Sequence, residues 1–396
     1  MINQMTLPGS KSQTQRALVL AATAASPSII ENPSPSADSR QLISMLTSLG
    51  VRFTFQQQEQ KSRVEIVPPS RFAPLSALHC GDGASQARFI SPIAHFLPAP
   101  LTLTGSPQLS SRSMEELVTA LCACGFHVRT GTPPTLPITI DGEVSASRVA
   151  FPANTSSQHI SALLLWGNRF PKGLEITLTT PPVSSAYIHM TLHLLGQFGI
   201  PYEQTETGWR LPNGVHEGAH VVIEPDLSLA PYPIIAAHLL GKPLPFTPSP
   251  HTIQEDAHFF MMWQQLCAAG TPPSFDLSGT PDLLPPLLTG AFMLGKSVTF
   301  TGTAHLRHKE SDRIAILTGA LAEAGATFNV TENAITLKNI TPVHKPLALG
   351  SAADHRLVMA LSLLTHRYEV SISQEASVEK SWPAYFEEMR RWGLLP

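Results

Sequence analysis

The feature that most constrains the fold of this chain is a pattern that recurs six times. Each copy is a helix-like segment that ends in a glycine and is followed by a strand-like stretch. Each glycine suits the left-handed position that closes a helix, because a residue without a Cβ adopts a positive φ readily. The spacing between copies, 55 to 75 residues, is longer than that of solenoid repeats. The terminal glycines are Gly50, Gly125, Gly199, Gly270, Gly325 and Gly393.

A second class of segment precedes each of these helices. Its members begin with polar residues and become almost wholly apolar, which is typical of buried helices. Short strand-like runs such as LTLTG and LEITLTT lie between the two classes. The pattern predicts an α/β fold of six pseudo-repeats, with buried helices surrounded by sheets and outer helices. The buried segments are residues 11–25, 85–97, 156–167, 228–241, 281–295 and 354–366.

The composition argues against several classes of partner and cofactor. With 396 residues, 43% of them hydrophobic, the chain is long enough for two domains with substantial cores. A net charge of −3 gives no electrostatic argument for binding nucleic acid or an anionic membrane. The four cysteines lack the spacing of zinc ligands and fit a reducing, cytoplasmic compartment. Neither a P-loop nor a dinucleotide-binding motif is present, so no metal or nucleotide cofactor is indicated.

The stretch PGSKSQTQRAL places two cations at the start of the first buried segment. Ser10 or Ser12 could simply cap the helix above a solvated first turn. Alternatively, the helix N-terminus with Lys11 and Arg16 could bind an anion. The stretch also loosely resembles a secretory signal peptide. We reject that interpretation, because this helix is the first of six equivalent elements and its removal would leave one unit without its core.

Other buried segments also start with polar residues, and elements related by pseudo-symmetry are expected to point the same way. Their N-termini should therefore face one cleft that attracts anions. The remaining charged stretches also have ordinary interpretations. Glu310 or Ser311 could cap a helix, and Arg112 could be a solvated loop residue. The triplet 354–356 could be a cap with a surface ion pair, and Lys380 precedes another outer helix.

Taken in order, these stretches resemble the motifs of the 5-enolpyruvylshikimate-3-phosphate (EPSP) synthase family. The resembling stretches are PGSKSQTQRAL, SSRSMEELV, SSQHISALLL, TPDLLPPL, HLRHKESDRI, DHR and EKSWPAYF, which run from residue 8 to residue 386. The KESDR and PGSKS–R matches are the most specific of them. The cysteine loop characteristic of the related UDP-N-acetylglucosamine enolpyruvyl transferases is not found.

The resemblance implies an inside-out α/β barrel of two domains, each built of three βαβαββ units. Residues 1–9 and 225–396 would form the domain that holds both termini, and residues 10–224 would form the second. The active-site cleft is expected between the two domains. The hinge is expected near residues 8–10 and 222–226.

The resemblance also implies a reaction. The enolpyruvyl group of phosphoenolpyruvate is transferred to the 5-hydroxyl of shikimate 3-phosphate, and phosphate is released by addition and elimination through a tetrahedral intermediate. Preorganised cations suit two substrates that together carry two phosphates and two carboxylates. The residues implied for phosphoenolpyruvate are Lys11, Arg112, Gln158, Arg313, Arg356 and Lys380. The residues implied for shikimate 3-phosphate are Lys11, Ser12, Arg16, Ser156, Ser157, Gln158, Ser184, Tyr187, Asp282 and Lys309.

Such a reaction needs proton transfer at two atoms. The 5-hydroxyl must lose a proton as it attacks, and the methylene carbon must gain one. We expect Asp282 to be the base at the hydroxyl and Glu310 to be the partner at the methylene carbon, aided by Lys309.

The chain departs from the family pattern at a few positions. The family usually reads Gly-Asn-Ala-Gly-Thr where this chain has residues 81–85, GDGAS. Asp82 adds a negative charge and Ala84 adds a methyl group, so the phosphoenolpyruvate subsite is expected to be tighter and to bind bulkier analogues such as glyphosate poorly. Ala353 replaces an asparagine common before the His-Arg pair, and His305 stands where asparagine is frequent.

Two alternatives remain at this stage. A related enolpyruvyl transferase could use the same residues with another acceptor, and a non-catalytic homologue could bind anions without turnover. The expected partners are the two small-molecule substrates, without nucleic acid or membrane. The chain is expected to be a cytoplasmic monomer.

Overall fold

A computed structural model describes residues 5–58, 61–154, 156–246, 248–268 and 270–396 of the chain. These residues form two compact units. The central unit is Gly9–Glu224, and the terminal unit combines Met1–Pro8 with Pro225–Pro396. Residues 1–4 of the domain expected to hold both termini lie outside the described residues.

Helices and strands alternate along most of the chain. The helices are α1 (Lys11–Thr23), α2 (Ala37–Ser48), α3 (Ala84–Ile90), α4 (Pro107–Ser110), α5 (Glu115–Cys124), α6 (Ser157–Gly167), α7 (Ala186–Gln197), α8 (Pro231–Leu239), α9 (His258–Ala268), α10 (Leu284–Leu294), α11 (Arg313–Glu323), α12 (His355–Ser362) and α13 (Tyr385–Arg391). The strands of the central unit are β1 (Ser28–Glu31), β2 (Arg52–Gln58), β3 (Lys61–Val67), β4 (Ala77–His79), β5 (Leu101–Thr104), β6 (His127–Arg129), β7 (Ile138–Asp141), β8 (Arg148–Phe151), β9 (Leu174–Leu178), β10 (Glu203–Gln204), β11 (Gly208–Leu211) and β12 (His220–Val222). The strands of the terminal unit are β13 (Ser274–Asp276), β14 (Val298–Thr301), β15 (Ala326–Val330), β16 (Ala334–Ile340), β17 (Leu347–Leu349) and β18 (Val370–Ile372).

Six helices are buried along almost their whole length, as the sequence predicts. They are α1, α3 and α6 in the central unit and α8, α10 and α12 in the terminal unit. In α1 every residue from Gln13 to Thr23 is buried. Each unit has its own hydrophobic core, because apolar side chains of its buried helices pack against the inner faces of its sheets and outer helices. The expected α/β architecture is confirmed.

Four of the six repeats carry the full βαβαββ set within the described residues. Each of these repeats contributes to a four-stranded sheet with one parallel pair, and the remaining strands pair antiparallel; in the sheet of β1 the parallel partner is β12, from the end of the central unit. The sheet orders are β12-β1-β3-β2, β4-β5-β7-β6, β10-β11-β9-β8 and β13-β14-β16-β15. The repeat of α12 and α13 has only the parallel pair β17-β18, and the repeat of α8 and α9 has no assigned strand in the part of the chain described.

The glycines that close the outer helices behave as predicted at five of the six positions. Gly125 has a φ of 108° and donates its backbone N–H to the carbonyl of Cys122, which ends α5. Gly50, Gly199, Gly325 and Gly393 also have positive φ. At Gly270 the prediction stays a prediction, because the φ of this glycine depends on residue 269, which lies outside the described residues. The chain leaves α9 through Thr271-Pro272-Pro273, and the two prolines hold an extended path into β13.

Close packing between buried and outer helices requires glycine at one position in the terminal unit. A Cβ at Gly290 of α10 would lie 2.6 Å from the ring of Trp263 on α9. Since real Cβ atoms do not approach so closely, a side chain at this position would push α9 away from the core. Within the described residues, none of the helices is both long and apolar enough to cross a membrane.

Candidate active site

The first turn of α1 holds a lysine in place through a neighbouring helix. The hydroxyl of Ser10 caps α1 by accepting a bond from the N–H of Gln13 at 3.4 Å, which selects the first of the two expected caps. Lys11 Nζ lies 2.9 Å from Asp38 Oδ2, in the first turn of α2. Asp38 is in turn fixed by its carbonyl, which accepts a bond from Gln86 Nε2 at 2.9 Å. Lys11 is therefore oriented before any ligand arrives.

Arg16 is a buried cation surrounded by neutral oxygens. Its side chain is 2% exposed. It donates to Thr191 Oγ1 at 2.7 Å, to the carbonyl of Ser12 at 2.8 Å and to Ser161 Oγ at 3.2 Å. The guanidinium also lies 4.9 Å from the ring centre of Phe89. Burial lowers the pKa of Arg16 to about 10, which the nearby Tyr187 partly offsets. Among the described residues no carboxylate pairs with this arginine.

A second cation of the central unit binds an amide that the sequence assigns to the site. Arg88 Nη1 donates to Gln158 Oε1 at 2.6 Å, and Arg88 Nη2 donates to the carbonyl of Ser113 at 3.1 Å. The hydroxyl of Ser156 caps α6 by accepting from the N–H of Gln158 at 3.2 Å, and Ser157 is buried in the first turn. Arg88 is absent from the predicted site. The signal that could have found it is a cation inside an otherwise apolar segment.

Arg112 and Arg88 both lie close to a buried imidazole. Burial lowers the pKa of His159 well below its usual value, and the charges of Arg88 and Arg112 lower it further. His159 Nε2 lies 3.3 Å from Glu116 Oε2, on the first turn of α5. This imidazole is therefore neutral at pH 7 and adds no positive charge beside the two arginines.

Ser184 and Tyr187 lie at the start of α7. Ser184 has a φ of 53°, which strains a residue that has a Cβ, and its buried Oγ has no hydrogen-bond partner among the described residues. The ring of Tyr187 lies 5.9 Å from the guanidinium of Arg16. A strained backbone that carries a buried hydroxyl without a hydrogen-bond partner is typical of a ligand-binding position.

The GDGAS loop leads into α3. Gly83 caps α3, Ala84 is its first residue and is buried, and Asp82 is exposed. A Cβ at Gly83 would overlap the amide of Gln86. Gly83 is therefore needed because that amide holds the carbonyl of Asp38, the partner of Lys11.

In the terminal unit, one arginine gathers three carboxylates from separate segments. Arg313 begins α11, and its side chain is 1% exposed. Nη1 lies 2.7 Å from Asp282 Oδ1, Nη2 lies 2.5 Å from Glu310 Oε2, and Nε lies 2.8 Å from Asp354 Oδ2. Burial opposes the charge of Arg313, but the three carboxylates raise its pKa well above the usual value. Arg313 is therefore a fixed positive centre.

A second arginine completes the ion-pair network. Arg356 Nη2 lies 2.6 Å from Asp282 Oδ2, so both oxygens of Asp282 contact guanidinium groups. Arg356 also donates to the hydroxyl of Ser228 at 3.1 Å, and that hydroxyl donates to Asp226 Oδ1 at 2.5 Å. Burial would raise the pKa of Asp282, but Arg356 and Arg313 outweigh it and hold the pKa well below its usual value.

Lys309, His305 and Asp256 lie close enough to this network to interact with it electrostatically. Lys309 helps to lower the pKa of Asp282. Burial and then Lys309 lower the pKa of His305 to about 4, so this imidazole is neutral at pH 7. Burial and the charge of Asp282 raise the pKa of Asp256 to about 7. Asp256 is 7% exposed, and its Oδ1 has no hydrogen-bond partner within the described residues.

Lys380 and Ala353 meet before α12. Lys380 Nζ donates to the carbonyl of Ala353 at 3.4 Å. Ala353 has a φ of 56°, a conformation that asparagine adopts far more readily than alanine. The family's asparagine at this position therefore has a backbone explanation, and the alanine of this chain costs about 1 kcal/mol there.

Two of the ordinary interpretations of the charged stretches are wrong. Asp312, not Glu310 or Ser311, caps α11, because its Oδ1 accepts from the N–H of Ala315 at 3.0 Å. Asp354 does cap α12, accepting from the N–H of Arg356 at 3.0 Å, but its ion pair is with Arg313 and is fully buried. The capping oxygen lies too deep in the terminal unit for a surface pair to form.

Within each unit, the structure brings together most of the residues that the sequence assigns to the site. In the central unit Arg16 and Tyr187 form one group, and Arg112 and Gln158 lie with Arg88 in another. In the terminal unit Asp282, Lys309, Glu310, Arg313 and Arg356 form a single network. The residues that sequence reasoning missed are partners of these groups: Asp38, Arg88, Thr191 and Asp354.

The fold with its six buried helices is the fold of solved enolpyruvyl transferases. A solved EPSP synthase from Acinetobacter baumannii has a TM-score of 0.76 at 22% identity and covers 99% of this chain and 97% of its own. The enolpyruvyl transferase NikO from Streptomyces tendae has a TM-score of 0.72 at 14% identity and covers 99% of this chain and 96% of its own. At these identities the two structures establish the fold.

Sequence comparison narrows the class to one family. The model of the EPSP synthase (3-phosphoshikimate 1-carboxyvinyltransferase) family matches residues 2–389. The 3-phosphoshikimate 1-carboxyvinyltransferase of Methanoculleus marisnigri is 31% identical, covering 98% of this chain and 96% of that protein. The enzyme of the same name from Halobacterium salinarum is 29% identical, covering 98% of this chain and 95% of that protein. The chain belongs to the EPSP synthase family, which confirms the resemblance.

Proposed function

We propose that this chain transfers the enolpyruvyl group of phosphoenolpyruvate to the 5-hydroxyl of shikimate 3-phosphate and releases phosphate. The observation that carries the proposal is Arg16, a buried arginine that no described carboxylate neutralises. A charge that is kept out of water without a counter-ion favours binding of an anion. Family membership supplies the identity of that anion.

Residues of the central unit are proposed to hold most of shikimate 3-phosphate. They are Lys11, Ser12, Arg16, Ser156, Ser157, Gln158, Ser184 and Tyr187. Hydroxyl groups suit the ring hydroxyls of this substrate, and the cations suit its phosphate and carboxylate. The unsatisfied Oγ of Ser184 has the strained geometry expected of such a contact. Asp282 and Lys309 of the terminal unit complete the proposed set.

Phosphoenolpyruvate is proposed to bind cations from both units. They are Lys11 and Arg112, with Gln158, in the central unit, and Arg313, Arg356 and Lys380 in the terminal unit. The proposal therefore requires both units to act on one pair of substrates, in the cleft that the sequence predicts.

The chemistry needs a base, an acid and a leaving phosphate. In the addition step the 5-hydroxyl oxygen bonds to C2 of phosphoenolpyruvate, its proton passes to Asp282, and C3 gains a proton from Glu310 or Lys309. The tetrahedral product then loses a proton from C3 to the same group and expels phosphate, which restores the C2–C3 double bond. Arg313 orients this machinery, because it holds Asp282 and Glu310 at once.

Phosphate release by the full chain tests the proposal directly. Release should require both phosphoenolpyruvate and shikimate 3-phosphate, and it should stop when either is omitted. Replacing shikimate 3-phosphate by shikimate or by UDP-N-acetylglucosamine should abolish release. Activity with another acceptor instead would favour the alternative of a related transferase, and ligand binding without release would favour a non-catalytic homologue.

The role of Asp282 has its own test. We expect Asp282→Asn to bind both ligands and to lose turnover by about a hundredfold or more, because general-base catalysis is worth about that much. Asp312→Asn is a matched control, since Asp312 caps α11 and forms its ion pair with Arg307. Normal turnover of Asp282→Asn would remove this residue from the mechanism. The monomeric state and the cytoplasmic location remain predictions, the first open to measurement by sedimentation.

A further inference from the structure

A cavity of the central unit lies at the far end of α1 from Lys11. Its volume is about 280 Å³, close to the lower limit of about 300 Å³ for small-molecule pockets. The end of α1 at Thr23 forms one wall, and residues 69–72, after β3, form another. Phe96 and Arg169 complete the lining. The 13 residues of α1 separate this cavity from the first turn of the helix by about 20 Å.

Two arginines line the cavity without a counter-ion. Within the described residues, neither Arg71 nor Arg169 forms an ion pair or a side-chain hydrogen bond. Burial lowers the pKa of Arg169. Burial also lowers the pKa of the neighbouring His216, and the charge of Arg169 lowers it further, whereas a hydrogen bond to the carbonyl of Leu20 and the charge of Glu217 raise it. A half-buried guanidinium with open donors is prepared for a carboxylate, which it can bind in bidentate geometry.

The remaining lining is aromatic. Phe72 and Phe96 meet edge to face with ring centres 6.1 Å apart, and both rings pack on Trp166 at 6.3 and 5.6 Å. Trp166 is fixed by its Nε1, which donates to the carbonyl of Phe89 at 2.7 Å. The rings are therefore held in position before a ligand arrives, and they offer faces and edges that favour another planar ring.

We propose that this cavity is a second ligand site, which binds a small organic anion made of a carboxylate on a flat, apolar ring. The carboxylate lies against Arg169 and Arg71, and the ring lies against Phe72 and Phe96. The proposal does not depend on the proposed function, because no residue assigned to the substrates lines this cavity.

Calorimetric titration of the full chain with benzoate tests the proposal. We expect saturable binding of one benzoate per chain in the millimolar range that so small a ligand allows. Benzamide, which has the same shape without the charge, should bind about tenfold more weakly or worse. Saturating shikimate 3-phosphate or saturating phosphoenolpyruvate, each added without the other, should leave benzoate binding unchanged. Displacement by either substrate would place benzoate in the substrate site and overturn the proposal.

Substitutions assign the binding to the cavity. Arg169→Gln should weaken benzoate binding about tenfold or more, because a charge-assisted hydrogen bond is lost. Arg148→Gln is the matched control, an arginine 77% exposed in the same unit, and it should bind like the unmodified chain. If Arg169→Gln fails to fold, Arg71→Gln carries the same test from an exposed position. The proposal is overturned if no saturable binding is found, or if the arginine variants and the control bind benzoate equally. Phosphate release by the same protein tests the transferase function separately.

Discussion

Replacing each of two buried arginines by methionine should change the free energy of unfolding by very different amounts. Arg16 and Arg313 are 2% and 1% exposed, so burial penalises both charges. Arg313 is neutralised by three carboxylates, whereas Arg16 contacts only neutral oxygens among the described residues. We expect Arg16→Met to leave the free energy of unfolding almost unchanged and Arg313→Met to reduce it severely.

The magnitude for Arg16 follows from two terms of similar size. The lowering of its pKa to about 10 corresponds to a burial cost of roughly 3 kcal/mol. Its three hydrogen bonds contribute about 1 kcal/mol each. After substitution Thr191 and Ser161 remain bonded to each other at 2.9 Å, so neither hydroxyl is stranded. The net change should therefore lie within about 1 kcal/mol.

The magnitude for Arg313 follows from what its removal leaves behind. Asp354 is completely buried, and it would keep a negative charge with no guanidinium to face it. Breaking a buried pair by removing one partner costs about 3–5 kcal/mol. Asp282 retains Arg356, so the loss comes chiefly from Asp354 and Glu310.

Urea unfolding and calorimetric titration with shikimate 3-phosphate check both parts. Arg16→Met should keep its urea midpoint and bind shikimate 3-phosphate about 10–100-fold more weakly, because a charge-assisted contact is lost. Arg313→Met should unfold at much lower urea. If the two variants lose the same amount of stability, the reasoning is wrong that Arg16 is open to a ligand whereas Arg313 is already neutralised. Undiminished binding by Arg16→Met would refute the role of Arg16.

Three further outcomes are expected. Asp354→Asn should lower the free energy of unfolding by about 1.5–3 kcal/mol. Asp312→Asn makes the same change at a capping aspartate that is 39% exposed, and it should lower the free energy of unfolding by about 0.5 kcal/mol or less. Urea unfolding measures both. Asp256, with its pKa raised to about 7, makes the chain less stable as pH rises from about 4 to 7, and His305, with its pKa lowered to about 4, makes it more stable over the same range. In Asp256→Asn the free energy of unfolding should therefore rise more steeply with pH in that window than in the unmodified chain. Thermal unfolding between pH 4 and 7 measures this, and a melting temperature that rises no more steeply in the variant than in the unmodified chain would contradict it. Ala84→Gly should lower the inhibition constant of glyphosate severalfold by removing a buried methyl group, and unchanged inhibition kinetics would exclude a steric role for that methyl.

The repeats could be predicted from the sequence because periodicity and helix ends are local properties. A helix that starts with polar residues and is apolar on all sides for the next ten must be buried along that length. The end of an outer helix is likewise marked locally by a glycine, and five of the six closing glycines have the positive φ that this requires. The partners of Arg313 could not be predicted in this way. Asp282, Glu310 and Asp354 come from three segments that meet only after folding. An acidic residue next to a cation in sequence usually belongs to a surface pair, so the triplet 354–356 alone does not indicate the buried pair of Asp354 with Arg313.

Arg88 shows a different limit. It lies within an apolar segment, which is a local signal, but no motif relates it to Gln158, 70 residues away. Asp38 gives no local signal, since an acidic residue in the first turn of a helix is common without any role in a site, and it becomes the partner of Lys11 only through tertiary packing. Residues that touch a ligand can be inferred from motifs, whereas the side chains that position them depend on the whole fold.

The arrangement in the terminal unit makes the strength of the proposed base depend on ligand binding. Without ligand, Arg313 and Arg356 contact both oxygens of Asp282 and hold its pKa low, which leaves a carboxylate too weak to take a proton from a hydroxyl efficiently. The same two arginines are proposed to hold the charges of phosphoenolpyruvate. An anion bound there offsets their field and raises the pKa of Asp282 toward the working pH. The base is therefore strengthened only when the second substrate is present, which limits wasteful proton transfer on shikimate 3-phosphate alone.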